Sequence, residues 1–238
     1  MRQASAPRAQ SSVLNSVTRL DQESTPVRIA ERLRLAIVNG QLPPGTQMTE
    51  IPLAARLGVS RGPVREAVQR LIQEGLLTTS RHRGVFVVDL QPAEIDDLYV
   101  TRELIESGAA QRLAKAAGRG RLDALTRALT ALRRAEATGV WRRLVDADLG
   151  FHAALVATGG TTRLRRTFDT LSVETRICLN RLEPFYPQRR DVVAEHEAIF
   201  RAIEGGDSEG VAALIHQHMH EAAARLTTAR LKGAEQAS

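Results

Sequence analysis

Residues 51–77 read IPLAARLGVSRGPVREAVQRLIQEGLL. Ile51, Leu53, Ala54 and Leu57 recur at helical spacing and stop at Gly58, the residue type that ends helices in the left-handed conformation. Val59 then packs at a corner. Ser60 belongs to the N-capping class, and Pro63, Val64, Ala67, Val68, Leu71 and Ile72 form the stripe of a second helix up to Glu74-Gly75. Two helices joined by such a corner have the form of a helix-turn-helix, whose second helix enters the DNA major groove N-terminus first. Here that first turn presents Ser60, Arg61 and Arg65. The two arginines are four residues apart and share a face, so they can reach guanine edges or phosphates together. The free N–H groups and dipole of the helix start also favour phosphate. A helical arginine is more often a solvated charge, so the assignment rests on the combination.

The flanks agree. Thr25 as N-cap and Pro26 at the first position open a helix with Val27, Ala30, Leu33, Ile37 and Val38 on one face, ended by Asn39-Gly40. Leu42-Pro43-Pro44-Gly45 is a tight turn, and Thr49 precedes the next helix. Beyond Gly75, Leu76–Thr79 and Gly84–Val88 are β-prone runs joined by Ser80-Arg81-His82-Arg83, a hairpin signature. Such a hairpin is a wing with His82, Arg83 and Gly84 at its tip. Residues 25–88 therefore read as a winged helix-turn-helix (α+β) domain. Residues 1–24, polar and Ser/Gln-rich, read as a disordered arm.

The whole chain has 238 residues with 43% hydrophobic and 25% charged content, ordinary for one large or two modest domains. Aromatics at 3% leave Leu, Val, Ile and Ala to build the core, which favours helices. One cysteine, Cys178, excludes a disulfide scaffold and a Cys-based zinc finger. No apolar run reaches the ~18 residues of a membrane span, and Arg2 and Arg8 have no apolar stretch behind them, so no secretory signal is expected. The expectation is a soluble, cytoplasmic protein without membrane contact. The net charge of +6 is a weak pointer to polyanions. Its placement says more: between positions 61 and 84, Arg61, Arg65, Arg70, Arg81 and Arg83 face only Glu66 and Glu74.

After a linker at 89–92, residues 93–230 read as an all-α antiparallel helical bundle, with helices near 93–117, 121–137, 140–158, 162–182, 190–204 and 207–230; residues 231–238 read as a disordered tail. The information lies in polar residues on apolar stripes. Asp148 and His152, spaced i,i+4, interrupt Trp141, Leu144, Val145, Leu149, Leu155 and Val156. His196 sits amid Val192, Val193, Ile199, Phe200 and Ile203, and His218 amid Val211, Leu214, Ile215, Met219, Ala222 and Leu226. Three helices thus aim one carboxylate and three imidazoles at a common core. A buried unpaired carboxylate is costly, and a divalent cation resolves that cost with an N/O ligand set. A single core histidine is more often just hydrogen-bonded; three with an aspartate favour metal, zinc first, with nickel or manganese also suited. His216 and His220 form their own i,i+4 pair but fall toward the polar side.

Arg102 is a further misfit, in the stripe Ile95, Leu98, Tyr99, Ile105, Ala109 and Leu113. It requires an anion: Asp148 or Glu106 inside the protein, or the carboxylate of a bound ligand. Residue type favours the internal pair; a cavity shared with a cation tips the choice toward a small carboxylate effector.

The stretches LPPGTQMTE (42–50), LAARLGVSRGPVREAVQRLIQEGLL (53–77) and HRGVFV (82–87) resemble the DNA-binding domain of the GntR family of bacterial transcription regulators. The resemblance implies that Arg61 and Arg65 contact operator bases and phosphates and that the wing tip enters the minor groove. Some members carry a further basic residue in the helix before the turn. Thr49-Glu50-Ile51-Pro52 offers none, which shifts readout onto Arg61 and Arg65. Residues 93–226 resemble the FCD effector domain of the FadR subfamily through Arg102-x-x-x-Glu106-x-x-Ala109-Ala110, Asp148-x-x-Phe151-His152, Glu195-His196, and Gly206-Asp207 leading to His218. This likeness implies a divalent metal on Asp148, His152, His196 and His218 beneath a cavity, with the metal or Arg102 holding the effector. It argues against acyl-CoA, whose responsive branch lacks the ligand set.

The function expected is a homodimeric, ligand-responsive regulator that binds operator DNA, represses a metabolic operon and senses an organic or sugar acid. The alternatives are a metal-dependent enzyme, disfavoured because Glu195 and Glu197 read as flanking the apolar face rather than serving as a base, and a regulator whose metal is purely structural.

Overall fold

The computed structural model describes residues 24–116, 122–180 and 190–235. The arm at 1–23 lies outside them. Helix α1 (Thr25–Val38) begins one residue earlier than the capping pattern implies: Ser24 holds the extended N-cap position, and Thr25 and Pro26 are already helical. Helix α2 (Glu50–Leu57) closes at Gly58 with φ 67°, where the Val59 N–H returns to the Ala54 carbonyl. Helix α3 (Arg61–Gln73) follows Ser60, whose side chain makes no capping bond. Ile29, Leu33, Ile37, Ala54, Val64, Val68 and Leu71 from these three helices interlock in one apolar core.

Strands β1 (Leu77–Ser80) and β2 (Gly84–Val87) form the antiparallel hairpin, in the register Leu77↔Val87, Thr78↔Phe86, Thr79↔Val85, Ser80↔Gly84. The segment after the Pro43-Pro44 turn lies along the free edge of β2: Gly45 and Met48 donate to the Val87 and Val85 carbonyls, and Val87 donates to Thr46. That edge is therefore covered rather than exposed to another chain.

The second half is helical throughout its described residues: α4 (Pro92–Lys115), α5 (Asp123–Ala137), α6 (Trp141–Gly159), α7 (Thr162–Leu179), α8 (Arg190–Glu204) and α9 (Ser208–Glu235). The final helix continues through 231–235, residues the sequence assigns to a loose tail. Helix α4 is central and packs on α6, α7, α8 and α9. Its capping box, in which Glu94 and Gln91 each bond the other's backbone, starts it sharply. None of the described helices is long and apolar enough to cross a membrane.

The two halves meet along α7. Ile177 joins the apolar core of the first half, Asn180 donates to the Val38 carbonyl at 2.7 Å, and Arg142 donates to the Asn39 carbonyl at 3.1 Å. From the far side, Arg230 of α9 pairs with Asp89 in the connecting segment at 3.0 Å.

Helices α6 and α4 cross closely where Gly159 of α6 meets α4. A Cβ there would overlap the Ala109 carbonyl oxygen and lie 3.1 Å from Leu113 Cβ, while Arg112 Nε donates to the Gly159 carbonyl at 3.0 Å. Gly150, on the same helix, faces open space. Gly159→Ala should therefore lower stability by about 1–3 kcal/mol, whereas Gly150→Ala should raise it by up to about 1 kcal/mol. Parallel thermal melts of the two variants check both signs.

Candidate metal centre and DNA-reading surface

Helices α6, α8 and α9 carry Asp148 and His152, His196, and His218 to one point, where one ligand atom from each lies within 4.8 Å of the others. His152, His196 and His218 are buried, and 13% of the Asp148 side chain remains exposed. His196 Nε2 stands 3.1 Å from Asp148 Oδ1 and 3.1 Å from His152 Nε2, and His218 Nε2 is 3.3 Å from His152 Nε2. An ion with bonds of about 2.0–2.1 Å in tetrahedral array separates its ligand atoms by about 3.3 Å.

The other ring nitrogens fix the tautomers. His152 Nδ1 faces Glu106 Oε2, His196 Nδ1 donates to the Val192 carbonyl at 2.7 Å, and His218 Nδ1 donates to Glu195 Oε2 at 2.7 Å. Each Nδ1–H is spent outward, so in the neutral rings each Nε2 turns a lone pair inward, toward a carboxylate that also only accepts. Lone pairs facing one another at 3.1–3.3 Å repel unless a cation, or a proton, sits among them. The residues fit a divalent ion.

Electrostatics follow the same geometry. Burial, partly offset by Glu106 and Asp148, pushes His152 down to about 4, so its ring is neutral near pH 7. Burial would also lower His196, but the adjacent Asp148 carboxylate overrides it and holds the imidazole above its ordinary range. In the same way burial would raise Asp148, yet hydrogen bonding to His196 and the charge of the histidines keep it well below the carboxylate range. His196 can take up the missing positive charge as a proton, the role that an ion would replace.

Behind the ligands lies an ionic chain. Glu106, fully buried, accepts from Arg102 Nε at 2.9 Å with one oxygen and meets His152 with the other. Burial opposes its charge, but Arg102 and His152 bring its carboxyl below the ordinary range. Arg102 is 2% exposed, lies over the Tyr99 ring at 5.0 Å, and has a buried Nη2 with no hydrogen-bond partner among the described residues. It lines a cavity of about 30 Å³ together with Tyr99, Trp141, Asp148, Leu179 and His218.

Two of these supporting groups are not evident from the sequence reading. Glu106 enters there as a candidate partner for Arg102 and as part of the Arg102-x-x-x-Glu106 motif, with no link to the histidines; it serves His152 as well. Glu195 reads as flanking, but it reaches across to His218 and is also held by Arg225 at 3.4 Å. Glu197 does remain peripheral, paired with Arg133 and Arg201. His216 is exposed and meets Glu103 at 3.0 Å, away from the cluster.

In the first half, Ser60, Arg61 and Arg65 occupy the start of α3, as the sequence spacing places them. Both arginines meet Glu50 of α2, a residue the sequence reading passes over as offering no positive charge. In the wing, His82 takes φ 62° and Gly84 φ 109°. Arg83 Nε donates to Ser80 Oγ at 3.0 Å and its guanidinium lies over Phe86, while Gln47 Nε2 donates to the Arg83 carbonyl at 2.8 Å. The tip is thus held from two sides.

Glu106→Ala would remove the carboxylate that accepts from the buried Arg102 guanidinium, at a cost of about 3 kcal/mol. Urea unfolding of the wild type and the variant measures this. Glu106→Gln, which keeps the shape, should lose less.

Comparison with known proteins agrees with this architecture. Residues 25–87 match the model of bacterial regulatory proteins of the gntR family, and residues 97–221 match the FCD domain. The chain is 28% identical to the gluconate operon transcriptional repressor of Bacillus licheniformis, over 91% of this chain and 93% of that one. It is 39% identical to an HTH-type transcriptional regulator from the TAR-I ttuE-ttuC' intergenic region of Agrobacterium vitis, over 52% of this chain and 75% of that one. A crystal structure of a GntR transcriptional regulator from Rhodococcus sp. RHA1 superposes with a TM-score of 0.73 at 28% identity, over 86% of this chain and 98% of that one. These relatives are transcription regulators, not enzymes. The chain belongs to the GntR family of DNA-binding transcription regulators, in the group that carries an FCD domain behind the winged helix-turn-helix.

Proposed function

We infer that the protein is a repressor that releases or takes up its operator in response to a small carboxylate bound beside a divalent metal ion. The observation that carries this reading is Arg102 Nη2: a buried cationic donor without a partner among the described residues, lining the same cavity as Asp148 and His218. A buried donor left unsatisfied is costly, and a carboxylate offers the planar acceptor pair that a guanidinium prefers. The ion, zinc by ligand type with nickel or manganese also suited, supplies a Lewis-acidic centre for a carboxylate or hydroxyl oxygen. The gluconate operon repressors among the relatives support a sugar acid as the ligand class.

DNA binding is assigned to Ser60, Arg61 and Arg65 in the major groove and to His82, Arg83 and Gly84 at the wing. One recognition helix per chain calls for a two-fold dimer on paired half-sites. Val100 and Leu104, one turn apart on α4 and 55% and 72% exposed, support a second copy as the neighbour of that face.

Coupling follows from the size of the cavity. Its 30 Å³ admits about two waters, so a carboxylate head fits, but the body of a six-carbon acid requires the walls to part. One wall is Leu179, whose carbonyl accepts from Trp141 Nε1 at 3.0 Å; the next residue, Asn180, bonds Val38 of the DNA-binding half. A ligand that favours the parted state shifts the relation of the two halves by its differential affinity, about 1–3 kcal/mol in typical couplings.

Calorimetric titration of zinc-loaded full-length protein with D-gluconate and with other small sugar acids tests the ligand assignment. Binding of at least one acid is expected, together with a change in operator affinity, and Arg102→Met should weaken that acid at least tenfold. An acid bound equally well by Arg102→Met would rule out the guanidinium as its anchor.

A further inference from the structure

Glu50 stands in the first turn of α2, and its carboxylate is the meeting point of both arginines at the tip of α3. Arg65 engages it with one whole edge, Nε at 3.0 Å to Oε1 and Nη2 at 3.0 Å to Oε2, and Arg61 Nη2 reaches Oε2 at 3.4 Å. The pairing is selective about which hydrogens it uses. It takes the Nε–H and one N–H of Nη2, so Arg65 Nη1 and the second hydrogen of Nη2 remain as an end-on fork. A fork of that shape reads guanine O6 and N7. The hydrogen bond from Arg65 also holds the Glu50 carboxyl below its usual range, so it stays anionic where the protein works. Within Thr49–Pro52 it is the only charge, at a helix start that would otherwise attract phosphate.

We propose that Glu50 is a specificity-determining positioning residue of the DNA-reading surface. It fixes the Arg65 guanidinium by one edge so that the opposite fork meets a guanine, and it cancels one positive charge at the helix tip so that duplex of the wrong sequence is held less tightly. A long arginine left free loses rotamer freedom when it docks, and an arginine already held loses less. A free arginine also accepts any phosphate within reach, while a held one meets only acceptors that fit its fork. The carboxylate thus trades overall affinity for discrimination. This rests on the reading that α3 enters the major groove.

The test uses full-length protein, Glu50→Gln, Glu50→Asp, Arg65→Ala and the Glu50→Gln/Arg65→Ala double variant. Wild-type protein first selects a sequence from a pool of random duplexes. Fluorescence anisotropy then compares the selected duplex with a scrambled one of equal length at 50–200 mM salt. Glu50→Gln should bind the scrambled duplex more tightly, lose about tenfold in discrimination, and show a log K against log salt slope steeper by about one. Glu50→Asp, which keeps the charge but shortens the reach, should lose discrimination without that change in slope. In the Arg65→Ala background Glu50→Gln should cost no further discrimination, because the carboxylate acts through that arginine.

Discrimination by Glu50→Gln within twofold of the wild type, or an equal loss in the Arg65→Ala background, overturns the proposal alone. A wild-type protein that selects no sequence, or an Arg65→Ala variant that keeps full affinity for the selected duplex, removes the reading of α3 and the proposal with it.

Discussion

Three imidazole lone pairs and a carboxylate aimed at one another inside an apolar helical core constrain everything around them. Each ring is locked from behind, by Glu106, by the Val192 carbonyl or by Glu195, so none can rotate to present an N–H to its neighbours without leaving a partner unsatisfied. The ligand-bearing helices must therefore stay in register with α4, which supplies Glu106, and α4 must hold Arg102 where it balances that carboxylate. Stability of the bundle and readiness for a cation arise from the same contacts.

The same helices set the position of the first half. Helix α9 carries His218 near its middle and Arg230 three turns later, paired with Asp89 in the connecting segment. Helix α7 ends with Ile177 in the core of the DNA-binding half, and Asn180 caps the end of α1. In the proposed coupling, a rearrangement at the cavity wall would reach the DNA-binding half through Ile177 and Asn180, packed groups that have discrete rather than continuous alternatives.

Much of this is legible in the chain itself, because the fold writes its periodicities plainly. Gly58 and Ser60 punctuate the helix-turn-helix, and the hairpin alternates around Ser80–Arg83. Asp148, His152, His196 and His218 stand out because each breaks an apolar stripe, and the coordinates bring them together. What escapes is of a different kind. Glu106 and Glu195 lie on or beside those stripes but declare their roles only through a partner on another helix, 46 and 23 residues away. Glu50 is invisible for the same reason: an acid among basic residues reads as an absence of charge until its distance to Arg65 is known. Helix ends shift, by one residue at Ser24 and by five beyond Arg230, where local capping signals are weak.

The most direct check on the central constraint is the metal content of the purified full-length chain after exhaustive dialysis, by elemental analysis, with X-ray absorption to count nitrogen and oxygen neighbours. One divalent ion per chain is expected, with three imidazole nitrogens and a carboxylate oxygen around it, and its loss when His196 is replaced by Ala. A wild-type chain that retains no ion when zinc, nickel and manganese are each offered in excess, or one whose ion survives the loss of His196 with unchanged neighbours, would contradict this expectation.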